Sequence, residues 1–147
     1  MKTIVVVFHP NPEQSVRNKI LLDEIKKNKN VTIHMISGPV QDVEAEKKLL
    51  NSFDRIVFQH PVYWYNVPAV GKAYMDTMLA KDGFAGKHFK VVNTTGGPKA
   101  AYGDASLLKN IWHAIGPYCG AKLEEQFIFF ADDAPAAAAQ LAAQLAK

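Results

Sequence analysis

The sequence predicts an α/β fold, a doubly wound five-stranded parallel sheet with helices on both faces. Two observations support this prediction. Strand-like and helix-like segments alternate from one end of the chain to the other, a pattern typical of βαβ units. The third strand-like segment, Ile56–Phe58, is also a short, continuously apolar run, as expected for a strand that is buried on both faces of a parallel sheet. We expect residues 1–147 to form a single domain.

The predicted elements alternate in order along the chain. Strands are expected at Thr3–Phe8, Val31–Ile36, Ile56–Phe58, His88–Asn93 and Gln126–Phe130. Helices are expected at Ser15–Lys27, Gln41–Asn51, Pro68–Leu79, Asp104–Ile115 and Ala134–Ala146. The apolar face of the first helix, which should be buried, comprises Val16, Ile20, Leu21 and Ile25. Leu141 and Leu145, spaced i,i+4 in the alanine-rich last helix, predict that this helix docks on the domain.

The composition is that of an ordinary globular protein, with 48% hydrophobic and 21% charged residues. The formal charge is only +3 and the chain has no long runs of like charge, so the charge pattern does not indicate nucleic-acid binding. The single cysteine, Cys119, excludes an internal disulfide and is compatible with a reducing cytoplasm. No apolar run approaches the ~20 residues that are needed to span a bilayer. We therefore expect a soluble cytoplasmic protein.

The loop after the first strand combines polar side chains with a predicted helix start. Ser15 can cap the first helix, whose free N–H groups and dipole favour an anion. Further side-chain donors close to this point are His9, Arg17 and Asn18. The segment fits a phosphate site, and it fits equally well a helix cap beside an ordinary surface histidine.

The loop after the third strand displays three consecutive aromatic residues, Tyr63, Trp64 and Tyr65. In open α/β sheets, ligands bind at loops that follow the carboxyl ends of the strands. Three adjacent aromatic side chains cannot all point into a core. Some of them are therefore expected to face a flat ligand or a protein partner.

The loop after the fourth strand contains two adjacent glycines, Gly96 and Gly97. They remove side chains where a ligand could press against backbone amides, although on their own they fit a simple turn better. Together the three loops offer an anion site, an aromatic platform and a glycine-lined edge at one end of the sheet. FMN has a phosphate, a planar ring system and polar ring edges, so the three loops predict an FMN site.

Other sites have little support in the sequence. The first strand is not followed by a G-x-G-x-x-G dinucleotide pattern, and no Walker-type loop is present. The five histidines lack the spacing of metal ligands, so no metal is expected. Cys119 is expected to pack as a small core residue. Ser15 has no visible base partner that would make it a nucleophile.

Three segments of the chain carry a family resemblance. They are His9–Asn18 with the pattern H-P-x-x-x-x-S-x-x-N, Asp54–Pro68 with the aromatic loop, and Thr94–Tyr102 with the glycine pair. In this order, and over nearly the whole chain, they resemble the NAD(P)H:quinone oxidoreductases with a flavodoxin-like fold. The resemblance is strongest to the small bacterial branch. That branch includes general-stress NAD(P)H oxidoreductases and the ancillary flavoproteins of glutathione-gated potassium efflux systems.

The resemblance implies a cytoplasmic, dimeric flavoenzyme that works by a ping-pong mechanism. NAD(P)H would reduce the flavin and leave, and a quinone or similar electrophile would then accept the hydride. The short chain favours FMN over FAD, because the larger members carry extra segments for the adenosine half. Leu108 stands where the animal members have a histidine, so a Tyr–His relay is not expected.

The resemblance also implies roles for individual residues. The flavin phosphate or ribityl chain would be held by His9, Ser15 and Asn18. One edge of the ring would lie along Pro61, Val62, Tyr63, Trp64 and Tyr65. The pyrimidine side of the ring would be bonded by Thr94, Thr95, Gly96 and Gly97, where donors stabilise developing negative charge. Tyr102 would reach both the flavin and the acceptor, as the catalytic proton donor or substrate-orienting residue.

Three alternatives remain open at this stage. The first is a non-enzymatic FMN-binding regulatory subunit of a potassium efflux transporter. The second is a flavodoxin-like electron carrier, although flavodoxins usually have an acidic surface and a Ser/Thr-rich phosphate loop. The third is a protein that kept the fold and lost the flavin, since a fold does not fix a function.

Overall fold

The computed structural model, which describes residues 1–147, contains six strands and five α-helices. The strands are β1 (Thr3–Phe8), β2 (Val31–Ile36), β3 (Arg55–Pro61), β4 (His88–Thr94), β5 (Lys122–Leu123) and β6 (Phe127–Phe129). The helices are α1 (Val16–Ile25), α2 (Val43–Asn51), α3 (Ala69–Met78), α4 (Ser106–Tyr118) and α5 (Ala138–Leu145). No helix is both long enough and apolar enough to cross a membrane.

All strands are parallel, in the order β2-β1-β3-β4-β5, with β6 paired to the end of β4. The predicted doubly wound parallel sheet is confirmed. β1 and β4 are the two neighbours of β3, and Pro61 at the end of β3 lies opposite Thr94 at the end of β4. The loops that follow these three strands therefore leave the sheet side by side.

The sheet separates two apolar cores, as expected when helices cover both faces. On one face, α2, α3 and α4 pack over aromatic side chains that surround Phe58, including Phe8, Phe89 and Trp112. On the other face, α1 and α5 pack over Val5 and Val7 of β1, and Leu141 and Leu145 are fully buried there. The predicted docking of the last helix is confirmed.

The position of the fifth strand differs from the prediction. It is occupied by two short strands, β5 and β6, rather than by one strand at Gln126–Phe130. Between them three residues, Glu124–Gln126, lie opposite only Lys90 and Val91 of β4, so one extra residue interrupts the ladder. The Glu124 carboxylate accepts from the buried Arg55 Nε at 2.8 Å, which holds the interruption against the sheet.

The prediction that Val16 is buried is wrong, because this side chain is 71% exposed at the first position of α1. Leu21 and Ile25 are buried and Ile20 is half-buried, as predicted. Helix boundaries also shift by a few residues. α4 begins after Ala105, which has a left-handed backbone (φ +61°), and continues to Tyr118 rather than ending at Ile115.

Candidate functional site

The loops after β1, β3 and β4 enclose an open cavity of about 460 Å³. This volume lies in the range of roughly 300–1,000 Å³ that is typical of ligand sites. The cavity is lined by His9, Asn11, Gln14, Ser15, Val16, Arg17, Pro61, Val62, Tyr63, Thr94, Thr95 and Gly96. The structure thus brings most of the predicted site residues together. The others lie outside the lining: Asn18, Trp64, Tyr65, Gly97 and Tyr102.

Ser15 forms the N-cap of α1 at the edge of the cavity, as the sequence predicts. Its Oγ accepts a hydrogen bond from the Asn18 backbone N–H at 3.3 Å. The remaining free N–H groups of the first turn, together with the helix dipole, favour an anion at this point.

His9 is almost fully buried beside this helix start. Its Nδ1 accepts from the Asn11 backbone N–H at 2.9 Å, which places the proton of the neutral ring on Nε2. Burial lowers the pKa of His9 and so favours the neutral form. The His9 side chain is therefore a neutral N–H donor rather than a cation.

Arg17 connects the cavity to the segment that follows β6. Its guanidinium donates to the backbone carbonyls of Phe130 and Asp133 and lies 3.9 Å from the centre of the Phe129 ring. Its buried Nε has no hydrogen-bond partner in the protein. A buried donor without an acceptor costs free energy, so this atom fits an anionic ligand in the cavity that Arg17 lines.

Asn18 lies behind the cavity rather than in its wall. The residue is almost fully buried, and its Oδ1 accepts from Gln59 Nε2 at 2.6 Å. The side chain therefore ties α1 to β3 through its Oδ1.

The aromatic loop is a tight turn with an unusual backbone. Tyr63 and Asn66 exchange backbone hydrogen bonds of 3.0 Å, and Trp64 and Tyr65 between them both have positive φ, +51° and +61°. Turns of this geometry usually carry Asn-Gly, and left-handed backbone costs other residues about 1–2 kcal/mol each. Such strain is typical of functional sites.

The three aromatic side chains diverge from this turn. Tyr63 lines the main cavity, and its ring lies 6.5 Å from the His9 ring. Trp64 is 96% exposed and borders a separate shallow hollow with Pro68 and Lys72. Tyr65 turns towards Tyr102, with 5.8 Å between the ring centres. The expectation that the aromatics do not all point into the core is confirmed.

The glycine loop leaves an open edge on the cavity at Gly96. A Cβ on Gly96 would meet no atom within 4 Å, so backbone is accessible there. A Cβ on Gly97 would instead lie 3.3 Å from the Tyr102 ring. The Thr95 hydroxyl donates to the Gly97 carbonyl at 2.8 Å and fixes the loop.

Tyr102 lies at the outer margin of the site. It is half-buried between Tyr65 and Phe130, whose ring centre is 5.9 Å away, and it does not line the cavity itself. The loop that contains Phe130 was not foreseen from the sequence. This loop holds the site together, because Ala131 N–H bonds the Gly97 carbonyl and the Asp132 carboxylate accepts from Lys99 N–H.

Sequence reasoning also missed Asn11, Gln14 and Val16 as lining residues. A short 3-10 helix at Pro12–Gln14 turns these positions towards the cavity. The prolines of this segment signal a turn. They do not indicate which side chains the turn directs at the ligand.

Comparison with known proteins gives a family match. The family described as Flavodoxin-like fold matches residues 1–147. Among curated proteins, an uncharacterized NAD(P)H oxidoreductase, YrkL of Bacillus subtilis (strain 168), is 46% identical over 83 residues, which are 54% of this chain and 48% of YrkL. The glutathione-regulated potassium-efflux system ancillary protein KefG of Enterobacter sp. (strain 638) is 37% identical over 119 residues, 72% of this chain and 64% of KefG. The chain thus spans about half to two thirds of these relatives.

Solved structures with the same fold cover the whole chain. An NADPH-quinone reductase from P. pentosaceus superposes with a TM-score of 0.87 at 26% identity. The superposition covers 100% of this chain and 98% of the reductase chain. The general stress protein 14 of Treponema denticola, solved in complex with FMN, gives a TM-score of 0.82 at 25% identity. The superposition covers 98% of this chain and 95% of the Treponema chain.

Proposed function

The chain belongs to the family of proteins with the flavodoxin-like fold, and from this premise we propose that its three-loop cavity binds FMN and that the protein is an NAD(P)H oxidoreductase. The proposed acceptor is a quinone or a similar electrophile, reduced by a ping-pong mechanism. The family resemblance and the names of YrkL and the P. pentosaceus reductase support an oxidoreductase.

One observation supports the proposal: the start of helix α1 and the exposed backbone of Gly96 lie at the same cavity. Ser15, His9 and Arg17 line one side, where Ser15 caps α1 and His9 carries its proton on Nε2. Gly96 leaves open space at the other side. This arrangement fits a ligand with a phosphate at one end and a flat polar ring at the other.

When bound, FMN supplies a hydride acceptor and donor. The phosphate and ribityl chain would lie at the α1 start, beside Ser15 and His9. The ring would lie along Pro61–Tyr63, and the 94–97 loop would offer donors where negative charge grows on reduction. Tyr102 would orient the acceptor or donate a proton from the margin of the site.

Asn18 has a smaller part in this proposal than in the expectation from the sequence. Its side chain would act mainly by positioning α1 through Gln59. Trp64 would contact the acceptor or a second protomer, because it is 96% exposed and lies outside the cavity. We propose a cytoplasmic homodimer, in accordance with the family resemblance.

A second candidate function follows from the similarity to KefG, whose name describes an ancillary protein of a potassium-efflux system. The protein would then bind FMN and regulate a membrane transporter, with or without turnover. An electron carrier without NAD(P)H activity is the third candidate.

An absorbance spectrum of the purified protein, before and after anaerobic addition of NADPH or NADH, tests the proposal. Oxidised flavin bands that bleach rapidly on addition support a reductase, and steady turnover with a quinone then establishes the acceptor class. Bands that neither nucleotide bleaches favour the carrier or a regulatory subunit. Absence of flavin bands, even after incubation with FMN, refutes the proposed cofactor.

A further inference from the structure

A buried histidine lies directly behind the wall of the cavity. His60 is the penultimate residue of β3, and the next two residues, Pro61 and Val62, line the cavity. His60 itself is 2% exposed and is not a lining residue. Its ring lies 5.7 Å from that of Trp112 on α4.

The hydrogen bonds of His60 define its tautomer. Nδ1 lies 2.8 Å from the carbonyl oxygen of Pro61, and a carbonyl can only accept, so Nδ1 carries the proton. Nε2 then accepts from Asn93 Nδ2 at 3.0 Å. Asn93 in turn accepts from Gln126 Nε2, which also donates to the Leu108 carbonyl at 3.0 Å. Burial lowers the pKa of His60 to about 4, so the ring stays neutral near pH 7.

This network fixes the peptide that joins Pro61 to Val62. The Val62 N–H bonds the Thr94 carbonyl at 2.8 Å, and the Pro61 carbonyl accepts from His60. The peptide plane is therefore held at both ends. Because His60 does not line the cavity, its bond directs the Pro61 oxygen into the protein and away from the ligand space.

We propose that His60 is a positioning residue that sets the reduction potential of the bound flavin by holding the Pro61 carbonyl away from the ring. This inference rests on the proposed FMN site. A flavin ring gains negative charge on reduction, and a carbonyl oxygen carries partial negative charge. A Pro61 oxygen that is free to turn towards the ring would disfavour the reduced form more than the oxidised form.

Two substitutions at His60 separate this role from simple packing. The amide nitrogen of asparagine is separated from Cβ by two bonds, as Nδ1 of histidine is. The side chain of His60→Asn can therefore still donate to the Pro61 carbonyl. The amide of glutamine reaches the position of Nε2, so His60→Gln can still bond Asn93 but leaves the Pro61 carbonyl without its donor. Both variants replace the ring that lies beside Trp112 with a side-chain amide.

The measurements are the reduction potential of the FMN-loaded protein and the dissociation constants of oxidised and reduced FMN. For His60→Gln we expect reduced FMN to bind about tenfold more weakly relative to oxidised FMN, which is a potential lower by ~30 mV for a two-electron couple. His60→Asn should retain the wild-type potential. Equal potentials in both variants, whether shifted or not, would overturn the inference.

A measurement on the wild-type protein covers the case in which a variant does not fold. ¹⁵N NMR of the histidine rings, in the flavin-free and FMN-loaded protein, reports the tautomer directly. We expect His60 to carry its proton on Nδ1 in both states, and an Nε2–H tautomer in the loaded protein would contradict the inference. Failure of wild-type protein to bind FMN refutes the proposed function instead, which distinguishes the two failures.

Discussion

Acid should destabilise this protein through His60 in particular. The pKa of the buried ring falls from its ordinary value of 6.5 to about 4, because burial disfavours the charged form more than the bond to Pro61 favours it. The unfolded chain therefore binds a proton in a pH range where the folded protein does not. The contribution of the neutral His60 ring to the free energy of unfolding is fully present above pH 6.5, and it is lost as the pH falls towards 4. The full pKa difference is worth about 3 kcal/mol, and about 2 kcal/mol should be lost by pH 5.

Urea unfolding at pH 7 and pH 5, for the wild type and for His60→Asn, measures this contribution. The variant lacks the titrating ring, so its free energy of unfolding should fall by ~2 kcal/mol less between the two pH values. His9 also has a lowered pKa and acts in the same direction, but it is present in both proteins and cancels in the comparison. Equal losses in both proteins would show that His60 is protonated in the folded state or is not buried as described.

Three further predictions concern the proposed site. Gly96→Val places a side chain in the open edge of the cavity and should weaken FMN binding at least about tenfold by equilibrium titration. Gly38→Val is the control, because its side chain also enters open space but lies after β2. Equal affinities of the two variants for FMN would show that Gly96 is not part of the FMN site. Tyr102→Phe should slow acceptor reduction about a hundredfold in stopped-flow measurements while FMN is retained, and unchanged rates with several quinones would exclude the proposed role. Ser15→Ala and Asp42→Ala each remove a helix cap and should each cost ~1 kcal/mol in thermal or urea unfolding. Only Ser15→Ala should also weaken FMN binding, and equal effects of both substitutions on FMN would argue against a phosphate at α1.

β1 was predicted residue for residue, because a strand that is buried on both faces appears in the sequence as an apolar run. The bounds of β2 were also predicted residue for residue, although this edge strand contains polar residues and is only partly buried. The fifth strand was not, because its interruption depends on Glu124 reaching Arg55 and His88 from distant parts of the chain. Val16 was placed on the buried face of α1, but at the first position of the helix it lines the open cavity and is 71% exposed.

The sequence by itself determined the fold class, the helix cap at Ser15 and the three loops that make up the candidate site. These features depend on local patterns: apolar runs, a capping residue and adjacent glycines. Only the tertiary structure decided what each side chain does within the site. It turned Asn18 towards Gln59, Tyr102 towards Tyr65 and Phe130, and His60 towards Pro61 and Asn93. The partners of these polar and aromatic side chains come from segments that are far apart in the chain. Local sequence patterns do not show which of these segments come into contact in the folded protein.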